Sequence, residues 1–387
     1  MLPSRAIDLP RVRARFGERA VRLTSFFERV DPLADAVVET LEHLPPGEGW
    51  RLVEWAAAHG IANTPGAPAA LQAFFKQIEE APVWADYKTL DHAGRLLLRT
   101  GPFGGIVLGA KSIVHGYASP AGNKPLVLTG RLEQQASRRL NETARFVQAV
   151  CRPRGMRPGA DGWQIAIRVR LIHAQVRHMI LKSGRWHPEL WGAPINQHDM
   201  AGTLLLFSLA VIVGLESLGM QIADEEAEAY IQLWRFVGHV LGVDPELIPG
   251  SKYDAVRLAE LIAALQGPPD DDSRALTRAL LESPRAMART PAEMRDMERR
   301  IRFSQALCRH LVGDELADGL AIPRTPWRFA VRIVHRLVTA GEMVRTSMPF
   351  AEDTAVAVGT RYWDRVVEIG LAGATAEFGL PDRLAAA

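Results

Sequence analysis

The stretch 163–181, Trp-Gln-Ile-Ala-Ile-Arg-Val-Arg-Leu-Ile-His-Ala-Gln-Val-Arg-His-Met-Ile-Leu, constrains the fold more than any other part of the chain. At about 100° per residue, Ala166, Val169, His173, Val176 and Ile180 share one helical face, and Arg170 and Arg177 fall within about 60° of His173. An unpaired buried charge costs several kcal/mol even after relaxation, so this helix requires anionic groups against its apolar side. Two arrangements meet the requirement. In one, His173 is a core histidine bonded to a carbonyl, and the arginines reach acidic residues on neighbouring helices. In the other, His173 ligates a metal or haem iron, and the arginines serve propionates or carboxylates around it. Spacing alone does not separate them.

The rest of the chain has helical rather than alternating periodicity, which predicts an all-α fold in a single helical domain over 1–387. Val21, Leu23, Phe26, Phe27, Val30, Leu33, Val37, Val38 and Leu41 predict a helix over 19–44, stopped by Pro45-Pro46-Gly47. Helices at 50–59, 67–80 and 84–100 complete an N-terminal cap over 1–100. Residues 101–110 hold Gly101, Gly104, Gly105 and Gly109 without a Gly-Lys-Ser/Thr ending, so close backbone packing, as against a flat ligand, is expected rather than a phosphate loop. A loop is expected at 120–129. The helix expected at 131–151 places Arg139, Glu142, Thr143, Phe146 and Val150 on one face, either as a surface Arg139–Glu142 ion pair or as a polar site.

After 163–181, Asn196 is the expected N-cap, with Asp199 at N3, of a helix over 197–218. Helices follow at 223–242, 253–266, 273–281, 291–312, 327–340 and 354–378, with 267–272 as an exposed linker. His198 and Asp199 are adjacent and diverge on a helix, which favours capping over metal binding.

The 387 residues, 48% hydrophobic, provide for a large core. Lys plus Arg at 46 against Asp plus Glu at 44 argues against broad nucleic-acid binding. The basic start, Arg5, Arg11, Arg13, Arg15, Arg19 and Arg22, reads as a solvated arm. Cys151 and Cys308 fit neither a disulfide framework nor a CxxC site, which implies a reducing compartment. With no apolar leader segment, and a longest apolar run (204–215) too short to span a bilayer, the expectation is a soluble cytoplasmic protein without a transmembrane segment. HExxH, GxSxG and Rossmann patterns are absent from the sequence.

Arg170-x-x-His173-Ala-x-x-Arg177 resembles the haem-binding helix of the latex-clearing-protein (rubber oxygenase) family, part of a group that includes a fungal oxygenase of mycophenolic acid biosynthesis. Trp191-Gly-Ala-Pro-Ile-Asn-Gln-His-Asp-Met200 with Thr203 and Phe207, and the segment Glu228-Ala-Tyr-Ile-Gln-Leu-Trp-Arg-Phe-Val-Gly238, are similar to family segments too. The similarity runs from about Gly130 to Pro249. It implies a globin-like haem-binding core over 101–250, with residues 251–387 as a C-terminal helical extension. It further implies haem b held by His173 as proximal ligand, with Arg170 and Arg177 flanking it. Arg139 and Thr143 stand at the family's distal offsets. Between them, where characterised rubber oxygenases can have a lysine, this chain has Glu142, a carboxylate that accepts a proton or holds a water but cannot act as an amine ligand.

The implied activity is O2-dependent cleavage of a carbon–carbon double bond in a hydrophobic small molecule, isoprenoid or unsaturated lipid-like, with O2 as co-substrate. The absent export signal favours a smaller alkene over solid rubber. A haem protein with another oxidation or a ligand-sensing role, and a haem-free helical interaction protein, are the alternatives. His335, in Arg332-x-x-His335-Arg336, is the rival ligand, although it lacks the Ala-x-x-Arg continuation.

Overall fold

The computed structural model describes residues 2–130 and 136–371, and these are helices joined by turns, with no strand among them. The elements that build and brace the central cavity are α1 (Pro32–Leu41), α2 (Glu48–His59), α3 (Ala69–Glu79), α4 (Pro120–Leu128), α5 (Ala136–Cys151), α6 (Asp161–Lys182), α7 (Gln197–Phe207), α8 (Leu209–Ser217), α9 (Asp224–Val240), α10 (Pro291–Val312), α11 (Arg328–Ser347) and α12 (Ala351–Leu371). One core runs through most of them, from Phe26, Phe74 and Phe75 through Trp163, Ala166 and Ala174 to Trp234, Phe236 and Trp363. α6 lies at its centre, packed against α1, α2, α4, α5 and α9.

The helix expected over 19–44 is broken. A helix over Glu18–Thr24 and a short 3-10 turn precede α1, and the break falls at Asp31-Pro32. A residue before proline is pushed out of the helical region, and Asp31 is extended (φ −99°, ψ 94°) with its carboxylate accepting from the Ala34 amide at 3.2 Å. Proline at the first helical position then costs nothing, because its missing N–H would have been unpartnered. The helix expected over 84–100 breaks at Gly94, where a Cβ would strike the Cys151 backbone.

Three further expectations change. Residues 102–107 form a helix that continues into a π-helical turn over Leu108–Ile113, and the glycines there meet Trp363 of α12: a Cβ on Gly104 would sit 3.2 Å from its ring. The close packing is real, but its partner is protein. Residues 120–128, expected as loop, are α4, because Ser119 caps the helix and Pro120 and Pro125 are tolerated within so short an element. The presumed linker 267–272 is tied down by Lys124 of α4, whose ammonium is 2.9 Å from Asp270 and 2.5 Å from Asp272. The basic N-terminal arm is likewise docked in part: Arg5 is buried against Asp199, and Arg22 pairs with Glu246.

The helix expected over 197–218 is divided into α7 and α8 at Ser208 (φ −103°, ψ −87°). The Ser208 hydroxyl donates to the Leu204 carbonyl at 2.9 Å, and the Tyr230 hydroxyl donates to the Phe207 carbonyl at 3.1 Å. The run Gln197–Ser217 is long and apolar enough to cross a membrane by length and composition, yet half of its most apolar window is buried and it walls the central cavity.

Candidate active site

A cavity of about 390 Å³ opens between α4, α5, α6, α7 and α9, with the helical segment 112–117 closing one side. Its walls are mainly apolar: Phe146 from α5, Val169 and Ile172 from α6, Met200, Leu204 and Phe207 from α7, and Trp234 from α9. Phe207 stacks on Trp234 with ring centres 5.2 Å apart and planes 15° apart, and Phe146 meets the same indole edge-on at 6.0 Å. The break at Ser208 sets this wall, since the Phe207 carbonyl released from the helix ladder is taken up by Tyr230, one turn before Trp234 on α9.

His173 lies on the α6 side of the cavity, and Glu142 and Thr143 line it from α5. Glu142 is largely buried, and its carboxylate accepts from Arg138 Nε at 3.1 Å, one helical turn earlier. The backbone of Arg139 belongs to α5, but its side chain lies outside the described residues, as do residues 131–135 at the start of the expected helix.

Arg170 and Arg177 do not line the cavity. Arg170 makes a two-pronged pair with Asp31 (Nε–Oδ2 2.6 Å, Nη2–Oδ1 3.0 Å) and donates to Gln77 Oε1 at 2.7 Å and the Val240 carbonyl at 3.2 Å. Arg177 pairs with Asp35 (Nη2–Oδ1 2.5 Å, Nε–Oδ1 3.0 Å) and reaches the Ile195 carbonyl at 3.2 Å. Asp31, the N-cap of α1, and Asp35 within it are about one turn apart, and the arginines are two turns apart on α6. The two pairs therefore fix both rotation and register of α6, with His173 between them turned to the cavity. The space is tight: Gly242 holds φ 74°, and a Cβ there would fall on the Arg170–Asp31 pair. Of the two arrangements open from sequence, the arginines follow the first, and His173 lines the cavity.

At the cavity rim, Asp199 receives Arg5 Nη1 at 2.8 Å, with His198 Nδ1 at 3.3 Å. Burial alone would push Asp199 up, but the Arg5 guanidinium and the His198 contact hold it well below the usual carboxylate range. Burial pushes His198 down, against the pull of Asp199, and its ring packs on Phe27 at 4.4 Å. That is the capping and packing role expected for this residue, with Asn196 accepting from the Asp199 amide at 3.0 Å. His335 is remote from the cavity and bridges helices, its Nδ1 3.2 Å from the Ser217 carbonyl.

The donor set fits haem. Among the described residues no group of three His, Cys, Asp or Glu side chains could hold a bare metal ion, so iron in this cavity would need most of its ligands from a macrocycle. One imidazole on apolar and aromatic walls suits a flat, largely apolar group bound through its metal. Sequence reading missed the α4 wall (Gly122, Asn123, Leu126), where a loop was expected, and it missed Ser112 and Trp234. For Trp234 a signal was present, since it lies inside a segment similar to the family.

A sequence model of the family described as "ER-bound oxygenase mpaB/B'/Rubber oxygenase, catalytic domain" matches residues 95–346, nearly two thirds of the chain. The chain belongs to this family. The matched stretch holds α4 to α10 and every cavity residue named above, whereas Asp31 and Asp35, which brace α6, lie before it. The rubber oxygenase of Streptomyces sp. (strain K30) is 27% identical over 226 residues, 58% of this chain and 54% of that protein, so the chain spans about half the length of this relative. Among solved structures, latex clearing protein LCP in the closed state aligns with a TM-score of 0.66 at 23% identity, over 87% of this chain and 88% of that one. The likeness establishes the all-helical family fold.

Proposed function

We propose that this protein is a haem b-dependent oxygenase that cleaves a carbon–carbon double bond of a hydrophobic substrate, isoprenoid or unsaturated lipid-like, with His173 as the proximal iron ligand. The observation that carries the reading is the meeting of His173, Glu142 and Thr143 on one apolar cavity of an oxygenase catalytic domain. Haem bound there supplies the iron chemistry that activates O2 for the cleavage. The overall reaction is balanced by O2 alone: one alkene and one O2 give two carbonyl fragments, with one oxygen atom in each.

The chain's own residues set the conditions for it. The aliphatic and aromatic walls exclude water and accept a low-polarity chain. The α1 carboxylates hold α6 in register, so that His173 is presented without loss of side-chain freedom at the moment of binding. Glu142, kept near the cavity by Arg138, accepts or holds a proton beside the reacting oxygen, and the Thr143 hydroxyl offers a hydrogen bond there. Arg139 stands at the offset that the family resemblance assigns to the distal side, and its side chain lies outside the described residues.

Haem-loaded protein incubated with a short polyisoprene or a smaller unsaturated terpenoid tests the reading. The expected result is O2 uptake with one O2 consumed per two carbonyl ends and label from 18O2 in both products. Haem binding without uptake or carbonyl products across such alkenes would contradict the cleavage reaction and leave a haem protein of another kind.

A further inference from the structure

Half-buried and buried residues anchor one side of α11, while the opposite side carries an apolar stripe that no described residue covers. Val331, Val338 and Glu342 face inward, and Glu342 is held by the Gln221 amide at 3.0 Å, Arg345 at 3.0 Å and Arg99 at 3.3 Å. On the outer side Phe329 is 55% exposed, Ile333 58%, Leu337 67% and Val344 58%, with Ala340 also exposed between them. At about 100° per residue these five positions fall within a sector of about 80°. Beyond the helix end the stripe continues into Met348 and Phe350, the latter 81% exposed. Isolated exposed apolar residues are ordinary, but a contiguous stripe on an anchored helix marks a docking surface.

The charges beside the stripe decide its partner. Arg328, Arg332 and Arg336 are exposed along one edge, the first two with their guanidiniums over the Phe329 ring at 5.0 and 5.7 Å. Among the described residues no carboxylate pairs with any of the three, and the one acidic residue of α11 is the inward Glu342. A second copy meeting this face by two-fold symmetry would set arginines against arginines, which disfavours a dimer here. A phosphate backbone alone would leave the aliphatic side chains in water. A surface with both anionic groups and an adjacent apolar layer satisfies both halves of the pattern, and that is the interface of a bilayer containing anionic lipid.

We infer that α11, with Met348 and Phe350, is a peripheral membrane-docking helix that lies along the surface of an anionic bilayer, its apolar stripe in the acyl boundary and its arginines among the headgroups. The inference stands on the exposed face of α11 and holds whether or not the cavity performs alkene cleavage. Cosedimentation of the full chain with phosphatidylcholine vesicles, with and without phosphatidylserine, tests it. Binding to the serine-containing vesicles is expected, reduced by added salt and reduced roughly tenfold or more by Arg332→Glu with Arg336→Glu, and similarly by Ile333→Asp with Leu337→Asp. All four side chains are exposed, so the variants keep the helical circular dichroism of the parent. Absence of binding to either vesicle would overturn the inference, as would equal binding by parent and variants. A dimer in sedimentation equilibrium that the Ile333→Asp, Leu337→Asp variant dissolves would overturn it too, by assigning the stripe to a second copy.

Discussion

Glu142 and Arg170 separate two kinds of importance that the sequence places side by side. Glu142 faces the cavity, so Glu142→Gln removes an acceptor for a proton while preserving shape. The expected outcome is product formation lowered by about 10²-fold at equal haem content, and an unchanged rate would show that the carboxylate takes no part. Arg170 faces α1, and Arg170→Met strands the Asp31 carboxylate in the core. Loss of about 3–5 kcal/mol is expected in denaturant unfolding, because breaking one side of a buried pair leaves an uncompensated charge. A smaller effect is expected from Tyr230→Phe, about 1–3 kcal/mol, which leaves the Phe207 carbonyl at the Ser208 break without its donor. From sequence alone the requirement for anionic partners near Arg170 and Arg177 was legible, but their identity was not. Asp31 and Asp35 lie some 140 positions away, and only the tertiary pairing of α1 with α6 brings them there.

Among the elements, those with strong periodicity and clear caps were legible: α9 with three acidic residues in its first turn, and α10 with the reciprocal Thr290–Glu293 cap, begin and end close to expectation. Two of the breaks were not, because they depend on a contact distant in sequence or on one local bond, Gly94 against Cys151 and the Ser208 hydroxyl on Leu204, whereas the break at Asp31-Pro32 had its signal in the proline. The π-helical turn over Leu108–Ile113 was also hidden in an apolar, glycine-rich run. Just after it, His115 has a titration the sequence did not suggest. Burial, and then the Lys111 ammonium, push the His115 imidazole down from 6.5 to about 4. The unfolded chain therefore binds a proton between those values that the folded protein refuses, and stability falls as pH drops from about 6.5 to about 4 and levels off below. The thermal midpoint of His115→Gln, followed over that range, is expected to decline less than the parent's; parallel curves would assign the acid sensitivity elsewhere.

At the scale of the whole molecule, residues before the family-matched stretch act on the cavity from outside it. Asp31 and Asp35 on α1 set α6, and Arg5 reaches the cavity rim at Asp199. Both contributions join the N-terminal helices to the same core as the cavity, so removal of residues 1–40 is expected to cost haem retention as well as stability. Whether His173 holds haem in this cavity is tested most directly by the visible absorption spectrum and pyridine haemochrome of purified parent and His173→Ala, each reconstituted with haem b. A b-type spectrum is expected in the parent and is expected to be lost or strongly altered in the variant. An unchanged spectrum in His173→Ala, or no haem in the parent after reconstitution, would contradict His173 as the haem ligand.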